Sequence, residues 1–338
     1  MTTTGKNNSI TDVTGLLAGH YTDKRAASGV TVIICKQGAV AGVDVRGAAP
    51  GTRETDLLDP VNLVDTVQAV VLSGGSVYGL AASDGVVRWL ADNRLGFPVD
   101  TNHVAPIVPA AVLYDLGRGV EYIPPIQPEW GIKACGSAQA GPLLEGCMGA
   151  GTGAVSGAIK GGLGTASIVM TSGITVAAVA AVNSLGSVVN PDSGQLWERD
   201  CEVQGEFGEQ GNRSVRLPRL DEAPPVANTT IGIVATDAGI TKVQAKKIAQ
   251  MAHDGLARAI RPAHTMFDGD TIFCMATSQK NLPEVEGFLA VRHAQAINDI
   301  GHAAAECMSR AIIHGVLAAE SSAGFPAFRD LEDLYTQE

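Results

Sequence analysis

Residues 161 to 191 carry no charged side chain, which leaves few structures open to them. Such a run either crosses a membrane as a helix or lies as strands in a protein core. Small and hydroxyl-bearing residues recur in it, and "TASIVMTSGITVAAVAAVN" is interrupted at Ser172-Gly173. Because a tight turn there would join two apolar segments, the run predicts two strands buried on both faces and not a membrane helix.

Other apolar segments predict a mixture of strands and helices. Strands are expected at 69–75, 230–237 and 271–278, together with a hairpin of 30–35 and 39–47 across Lys36-Gln37-Gly38. Helices are expected at 76–93, roughly 135–145, 241–260 and 285–317. Sheets covered by helices on their outer faces are the simplest arrangement of these elements, which makes the chain an α/β protein.

Residues 190 to 228 differ from the rest because they are rich in charge, glycine and proline. They predict a mainly exposed connection that holds a short hairpin around Gln210-Gly211. The part of the chain after this stretch has too few strands to close a sheet alone. We therefore expect residues 1–338 to form a single domain.

Composition excludes several classes of function. The chain has 338 residues, of which 45% are hydrophobic, and its net charge is -11, which disfavours binding to nucleic acid or to an anionic membrane surface. The N-terminal "MTTTGKNNSITDVTG" lacks the apolar core of a signal peptide, and the six cysteines form no C-x-x-C pair. We expect a cytoplasmic protein with reduced thiols that binds neither nucleic acid nor membrane.

The junction of Asn228 and Thr229 carries the candidate chemistry. A polar stretch ends there and the strand "TIGIVATD" follows at once. A threonine hydroxyl becomes a useful nucleophile when a free α-amine on the same residue takes its proton, which requires the preceding peptide bond to be broken. Asn228 tolerates the strained backbone of a tight turn, so the pair suits a self-cleavage site. The alternative is a loop that simply enters a strand.

Lys160 is the single charged residue between Glu145 and Asp192. A cation in such neutral surroundings is expected to be buried or in a cleft, where its charge must be paired or used. The alternative is a lysine at a loop tip that reaches solvent between glycines. The surrounding glycine-rich span, 149–167, lacks both G-x-x-x-x-G-K-[ST] and G-x-G-x-x-G, so it predicts backbone packed around an active site and not a phosphate loop.

Asp268 and Asp270 lie in "HTMFDGDTIF" at i, i+2 spacing, which places both carboxylates on one face of an extended segment. They could act on the junction, form a turn before the next strand, or bind a metal. No cluster of His, Asp or Glu at a convincing spacing supports the metal site. His264 is close by, but a single histidine before a turn is more often structural.

Five segments together resemble the DmpA-type family of self-cleaving N-terminal-nucleophile hydrolases, which includes β-peptidyl aminopeptidases and nylon-oligomer hydrolases. The segments occur in family order across most of the chain. They are "GAAPGTRETDLL" (47–58), "VLYDLG" (112–117), "GAGTGAVSGAIKGGLGTAS" (149–167), "ANTTIGIVATD" (227–237) and "HTMFDGDTIF" (264–273).

The resemblance implies an αββα sandwich with ornithine-acetyltransferase-like topology. It also implies cleavage into a large subunit, 1–228, and a small subunit, 229–338, that stay together, with Thr229 as the nucleophile. The family's other functional positions fall on Lys160, Asn183, Tyr114, Asp268 and Asp270. It further implies that no cofactor or metal is needed and that the chain forms a homo-oligomer, with a tetramer as the expectation.

The two branches of the family differ at these motifs. The β-aminopeptidase branch typically cuts Gly-Ser and carries Ser-x-Glu, whereas this chain has Asn228-Thr229 and Asp268-x-Asp270. The chain therefore looks more like the nylon-oligomer hydrolases, which implies an amidase for small peptides or ω-amino-acid oligomers. A β-peptidyl or L-aminopeptidase, an acyltransferase of the ornithine-acetyltransferase kind, a metal-dependent amidase and an uncut binding protein with the same fold remain alternatives.

Overall fold

The computed structural model describes residues 3–218, 228–282 and 291–334. Its α-helices are α1 (Ala81–Asp92), α2 (Pro128–Gly136), α3 (Lys242–Ala259) and α4 (Val291–Leu317). Its strands are β1 (Leu16–Asp23), β2 (Ser28–Val45), β3 (Gly51–Arg53), β4 (Thr66–Ser73), β5 (Phe97–Pro98), β6 (Val104–Ala105), β7 (Ala110–Val112), β8 (Val155–Ser156), β9 (Ile159–Lys160), β10 (Leu163–Val169), β11 (Thr175–Asn183), β12 (Thr229–Ala238) and β13 (Thr271–Lys280).

The main strands form one hydrogen-bonded sheet that the long strand β2 divides into two layers. The order is β10-β11-β12-β13-β2-β4-β7-β3, and β1 also pairs with β2. The first part of β2, from Ser28 to Cys35, pairs with β1, whereas Val40 to Val45 pair with β13. The register against β4 shifts between Ile34 and Ala39, so β2 bends from one layer into the other.

Three apolar cores separate four layers. The outer cores lie between α3, α4 and strands β10–β13, and between α1, α2 and strands β1, β2 and β4. The central core joins the inner faces of the two sheet layers. Successive side chains of β12 point to opposite faces of the sheet and therefore into different cores. Ile233 belongs to the central core and Val234 to the core under α3 and α4. The predicted αββα sandwich is therefore confirmed.

The uncharged run forms the strand pair that its sequence predicts. β10 and β11 pair antiparallel and are joined by a turn in which Gly173 has a φ of 82°. β11 then pairs antiparallel with β12, which places Asn183 directly opposite Thr229. The strands predicted at 69–75 and 271–278 and the helix predicted at 241–260 are also confirmed, the last starting with a capping box at Thr241.

Two predictions of local structure in the first half of the chain are wrong. The hairpin expected across Lys36-Gln37-Gly38 is one continuous strand, because the register shift in β2 accommodates these residues without reversing the chain. The helix expected near 135–145 lies earlier, at Pro128–Gly136, where Pro128 occupies its first turn. The start of the last predicted helix, at 285–290, lies outside the described residues.

The described part of the polar stretch packs against the rest of the fold, whereas its sequence predicts a mainly exposed connection. Gln210-Gly211 lies in a 3₁₀ helix, Glu209–Asn212, and not in a hairpin, while Phe207 and Val215 are buried in the core beneath α4. Residues 219–227 of the stretch lie outside the described residues. Within the described ranges, no helix combines the length and the apolar character that a membrane crossing needs.

Candidate active site

Thr229 is the first residue of a buried central strand. β12 begins at Thr229 between β11 and β13, and the residue is 5% exposed. Its Oγ1 accepts a hydrogen bond from the Gly269 N–H at 3.2 Å and donates one to the carbonyl oxygen of Asn228. The hydroxyl therefore lies against the peptide bond whose cleavage would free the Thr229 amine.

The Asp270 carboxylate fixes the start of this strand. Its Oδ1 accepts from the Thr230 N–H at 2.8 Å, and its Oδ2 accepts from the His264 N–H at 3.0 Å. The His264 ring contributes a further contact, with Nδ1 at 2.8 Å from Oδ2. Asp270 thus ties the start of β12 to the loop that precedes β13, and His264 takes part in this arrangement although the sequence suggested only a structural residue.

Only one of the two carboxylate oxygens of Asp268 is hydrogen-bonded among the described residues. Its Oδ2 accepts from the backbone N–H and the hydroxyl of Thr265 at 2.8 and 2.6 Å. Oδ1 is buried and has no hydrogen-bond partner among the described residues, and the same holds for Nδ2 of the adjacent Asn228. Asp268 pairs with Asn228 in a parallel bridge, so both of these polar atoms belong to residues beside the Asn228–Thr229 peptide bond.

The Asn183 amide lies beside Thr229 on the same face of the sheet. Directly opposed residues of antiparallel strands hold their Cβ atoms about 4.5–5.5 Å apart, and Asn183 pairs with Thr229 in this way. Asn183 Oδ1 accepts from Val155 N and Arg118 Nη1 at 3.1 and 2.5 Å, and Nδ2 donates to the Tyr114 carbonyl at 3.0 Å. Its NH₂ group is thereby directed away from Arg118.

Lys160 is fully buried, as its neutral surroundings predict. Its Nζ donates to the carbonyl oxygens of Thr152 and Ala154 at 3.1 and 2.7 Å. Burial lowers the pKa of Lys160 to about 8, because the charged ammonium loses its hydration. Its hydrogen bonds are to the glycine-rich loop, and none joins it to Thr229, Asp268 or Asp270.

The buried Asp115 and the partly buried Arg118 lie close to the site, and no sequence pattern selects them. Burial raises the pKa of Asp115 to about 6, although the Gly75 N–H and the Ser28 hydroxyl donate to its carboxylate at 2.6 and 2.8 Å. Burial also lowers the pKa of the nearby Arg118 to about 10. Both lie next to Tyr114 in "VLYDLGRG", a segment with no recognisable spacing of charges.

A cleft of about 370 Å³ opens onto the Asn228–Thr229 peptide bond. Its described lining includes no Asp or Glu side chain and no Lys or Arg; the lining residues are Ala49, Pro50, Gly51, Ser76, Val77, Val112, Leu113, Tyr114, Asn228, Thr229, Met266 and Phe267. The Tyr114 hydroxyl lies 3.0 Å from that of Tyr122, and this hydrogen bond raises the pKa of Tyr114. The cleft suits an uncharged, partly apolar substrate.

The structure therefore brings five of the six candidate functional residues to one place. Thr229, Asn183, Asp268 and Asp270 lie around the Asn228–Thr229 peptide bond. The Tyr114 carbonyl accepts from Asn183, and the Tyr114 residue lines the cleft. Lys160 acts on the neighbouring loop. No group of three or more His, Cys, Asp or Glu side chains in the described ranges has the geometry to hold a metal ion.

Comparison with known sequences decides the family. A sequence model described as Peptidase family S58 matches residues 8–328. The chain belongs to peptidase family S58. An uncharacterized aminopeptidase of Mycobacterium tuberculosis is 46% identical over 341 residues, covering 96% of this chain and 98% of the relative. A 6-aminohexanoate-oligomer endohydrolase of an Agromyces species is 30% identical over 311 residues, covering 88% and 82%.

Solved structures agree on the fold. A Burkholderia β-aminopeptidase superposes with a TM-score of 0.72 at 24% identity, covering 97% of this chain and 92% of that one. An L-aminopeptidase D-Ala-esterase/amidase of Ochrobactrum anthropi, described as a variant of the Ntn hydrolase fold, gives 0.71 at 23% identity, covering 97% and 90%. The S58 chain thus has the Ntn hydrolase fold of these enzymes.

Proposed function

We propose that this S58 protein is a self-processing amide hydrolase whose nucleophile is Thr229. The observation that carries the proposal is the position of Thr229 Oγ1, which contacts the Asn228 carbonyl, accepts from Gly269 N–H and opens onto the cleft. Hydroxyl, scissile carbonyl and an N–H donor meet where the chain enters a rigid central strand. That is the arrangement required by an intramolecular acyl shift.

Processing divides the chain into 1–228 and 229–338. Oγ1 attacks the Asn228 carbonyl carbon, the C–N bond breaks, and the nitrogen takes up the hydroxyl proton, which leaves an ester between the two residues. Water then hydrolyses this ester, which releases the Asn228 carboxylate and restores the Thr229 hydroxyl beside the α-amine that the shift set free. The amine, with an ordinary pKa of about 7.7–8.0, becomes the base that the hydroxyl needs.

The processed site then hydrolyses amides of other molecules. Thr229 Oγ1 attacks the substrate carbonyl while its own amine accepts the proton, and water releases the acyl group in a second step. Asn183 Nδ2 carries two hydrogens and donates one to the Tyr114 carbonyl, so the second is free for the developing oxyanion. Tyr114 supplies a second donor through its hydroxyl. Asp270 and the free oxygen of Asp268 orient the new amine.

The neutral cleft favours substrates without a charged group next to the scissile amide. The oligomer endohydrolase among the relatives and the neutral lining support linear ω-amino-acid oligomers or small peptides as the substrate class. The aminopeptidase names of closer relatives favour the second candidate, cleavage beside a free N-terminal amine. Comparing kcat/KM for free and N-acetylated forms of one amide separates them, and we expect the acetylated form to be accepted at least equally well.

Substitution of Thr229 tests the nucleophile. Thr229→Ala should give one intact polypeptide of the full mass with no amidase activity, whereas Thr229→Ser should still be cut and keep measurable activity. Intact-mass measurement of the wild type should show masses for 1–228 and 229–338. A cut and active Thr229→Ala protein would overturn the assignment, and an uncut wild type would support the binding-protein alternative.

Three further features belong to the same proposal. Transfer of the acyl group to an added amine in place of water would support the acyltransferase alternative, and inactivation by chelators would support the metal-dependent one. We also propose a homo-oligomer, with a tetramer as the family expectation, and a cytoplasmic location. Light scattering of the purified, processed protein tests the assembly.

A further inference from the structure

The side-chain amide of Asn183 can stabilise an oxyanion in only one of its two orientations. Its side-chain oxygen and nitrogen have nearly the same shape, so the amide could lie either way round. With Nδ2 toward the cleft it donates a hydrogen bond to developing negative charge; with Oδ1 there it would repel that charge. The hydrogen bonds on the far side of Asn183 therefore decide whether the group helps or hinders the reaction.

Arg118 supplies the strongest constraint on this choice. One nitrogen of its guanidinium, Nη1, donates to Asn183 Oδ1 and to the Gly153 carbonyl, both at 2.5 Å. A guanidinium is a donor only, so it cannot accept from an amide that has turned over. Val155 N–H donates to the same oxygen at 3.1 Å. Reversal of Asn183 would therefore bring its NH₂ group against two donors.

The surroundings hold Arg118 in place on the side away from the cleft. The nearby Asp115 carboxylate attracts its charge, and its guanidinium carbon lies 6.0 Å from the centre of the Phe325 ring. Arg118 does not line the catalytic cleft; it lines a separate cavity of about 140 Å³ together with Lys24, Cys147, Thr152 and Glu320. The hydrogen bond to Asn183 is therefore the direct contact of Arg118 with the candidate site, and its charge also acts on Tyr114.

We propose that Arg118 is a positioning residue for amide hydrolysis, which orients the Asn183 amide so that its NH₂ group faces the acyl carbonyl at Thr229. The inference rests on the proposed Thr229 hydrolase. It is distinct from a direct catalytic role, because Arg118 contacts neither the nucleophile nor the cleft. Its effect should therefore vanish once Asn183 cannot donate.

A double-mutant cycle tests this dependence. Activity is measured on processed protein, with the active fraction counted from the mass of the 229–338 fragment, using one neutral amide substrate. Arg118→Ala should lower kcat by about 10- to 100-fold with little change in KM, a smaller loss than the about 10²–10³ that follows removal of an oxyanion donor itself. Combined with Asn183→Ala, the same change should have no additional effect on kcat.

Chemical rescue provides a measurement that would not change if Arg118 had a purely structural role. Millimolar methylguanidinium should restore part of kcat in Arg118→Ala and none in the double variant. Arg213→Ala is the matched control, because Arg213 also lies over a phenylalanine ring and donates to backbone carbonyls, but near the C-terminal end of the described chain. It should leave kcat unchanged.

The possible results separate this inference from the proposed function. An equal loss of kcat from Arg118→Ala in the presence and absence of Asn183, a loss confined to KM, or rescue of the double variant would each overturn the positioning role. If Arg118→Ala fails to fold or to be cut, Arg118→Lys replaces it in the same cycle and should show a smaller loss that again needs Asn183. An uncut or inactive wild type would instead refute the Thr229 hydrolase itself.

Discussion

The buried Lys160 and the partly buried Arg118 hold three successive carbonyl groups of one loop. Lys160 Nζ binds the carbonyls of Thr152 and Ala154, and Arg118 Nη1 binds that of Gly153 between them. The next residue along the chain donates its N–H to Asn183. The charge of Lys160 is thus used to shape the backbone beside the site, which gives it a role that does not require contact with the substrate.

Gly269 should be indispensable because its N–H binds the Thr229 hydroxyl at 3.2 Å and no space remains for a side chain. An added Cβ would lie 2.7 Å from the Ala49 carbonyl oxygen and 3.0 Å from Thr229 Oγ1. We expect Gly269→Ala to slow self-cleavage by about 10²-fold or more, since even small displacements of a reacting group are costly. Intact mass followed over time after expression measures the rate.

The control for this variant is Gly136→Ala, where an added Cβ meets nothing within 4 Å. It should be cut at the wild-type rate. Normal cleavage of Gly269→Ala would show that the N–H of this loop does not help to position the hydroxyl.

Asp115 should make the stability of the protein depend on pH. Its pKa is raised by burial to about 6, against about 3.9 in the unfolded chain. Between these values the native state keeps a proton that the unfolded state has lost, so the free energy of unfolding falls as pH rises from 4 to 6. Asp115→Asn has no titrating carboxyl and so does not lose stability in this way. The free energy of unfolding of the variant, relative to that of the wild type, should therefore rise by up to about 3 kcal/mol between pH 4 and pH 6.

Urea unfolding of both proteins at pH 4 and pH 7 measures the difference. The variant keeps an acceptor for the Gly75 N–H through its remaining side-chain oxygen. Parallel pH profiles for the two proteins would mean that Asp115 is ionised throughout, stabilised by Arg118 more strongly than its burial implies.

The candidate site shows which residues sequence alone can indicate. Lys160 is indicated by its isolation among neutral residues, and Thr229 by the abrupt start of a strand. Arg118 and Asp115 give no such signal, because their partners Asn183 and Gly75 are far away along the chain. Roles that depend on long-range pairing become visible only when the fold is known.

At the scale of secondary structure, the strands buried on both faces were the most predictable elements. β11 and β12 contain continuous apolar runs bounded by turn residues, and their limits follow closely from the sequence. The same reasoning gave a wrong prediction for β2. Lys36, Gln37 and Gly38 have the composition of a turn, but the strand continues through them with a local irregularity where it passes from one layer to the other.

Close contact between β10 and α4 depends on Gly164. An added Cβ there would lie 2.1 Å from the Ala311 carbonyl oxygen and 2.2 Å from the Gly315 nitrogen, both in the helix backbone. The helix would have to move away from the sheet, at a cost of about 1–3 kcal/mol or more. We expect Gly164→Ala to lower the free energy of unfolding by at least this amount, as measured by urea denaturation.

Gly239→Ala provides the comparison for this packing. Its added Cβ would meet only the Lys280 carbonyl oxygen, at an ordinary 3.5 Å. The variant should unfold at nearly the wild-type urea concentration. Equal destabilisation of both variants would show that the loss comes from glycine replacement in general and not from the β10–α4 contact.

At the scale of the whole molecule, the two fragments made by the proposed cleavage would share one sheet. β12 lies between β11 and β13, and β13 in turn pairs with β2, so strands from both sides of the junction alternate within one sheet. A buried ion pair crosses the same division, since Glu206 accepts from Arg310 of α4 at 2.5 and 2.7 Å and lies 2.9 Å from the ring of His314. Cleavage should therefore leave a single native particle.

Glu206 should set how tightly the two fragments hold together. Burial alone would raise its pKa, but hydrogen bonds from His314 and Arg310 outweigh that effect and lower the pKa to about 2. Because the folded-state value lies below the unfolded one, Glu206 contributes its full stabilisation above about pH 4.5, and this contribution disappears as pH falls toward 2. The shift corresponds to about 3 kcal/mol at neutral pH.

Processed wild-type protein should elute from a sizing column as one species at pH 7 and give two bands on a denaturing gel. Glu206→Gln leaves Arg310 buried without its counter-charge, so its fragments should separate and unfold at a clearly lower urea concentration at pH 7. The difference from wild type should shrink as the pH is lowered toward 3, because the glutamate of the unfolded wild type then takes up a proton while the native one is still largely charged. A constant difference across this range would mean that the carboxylate charge does not hold the fragments together and that packing of the shared sheet does so alone.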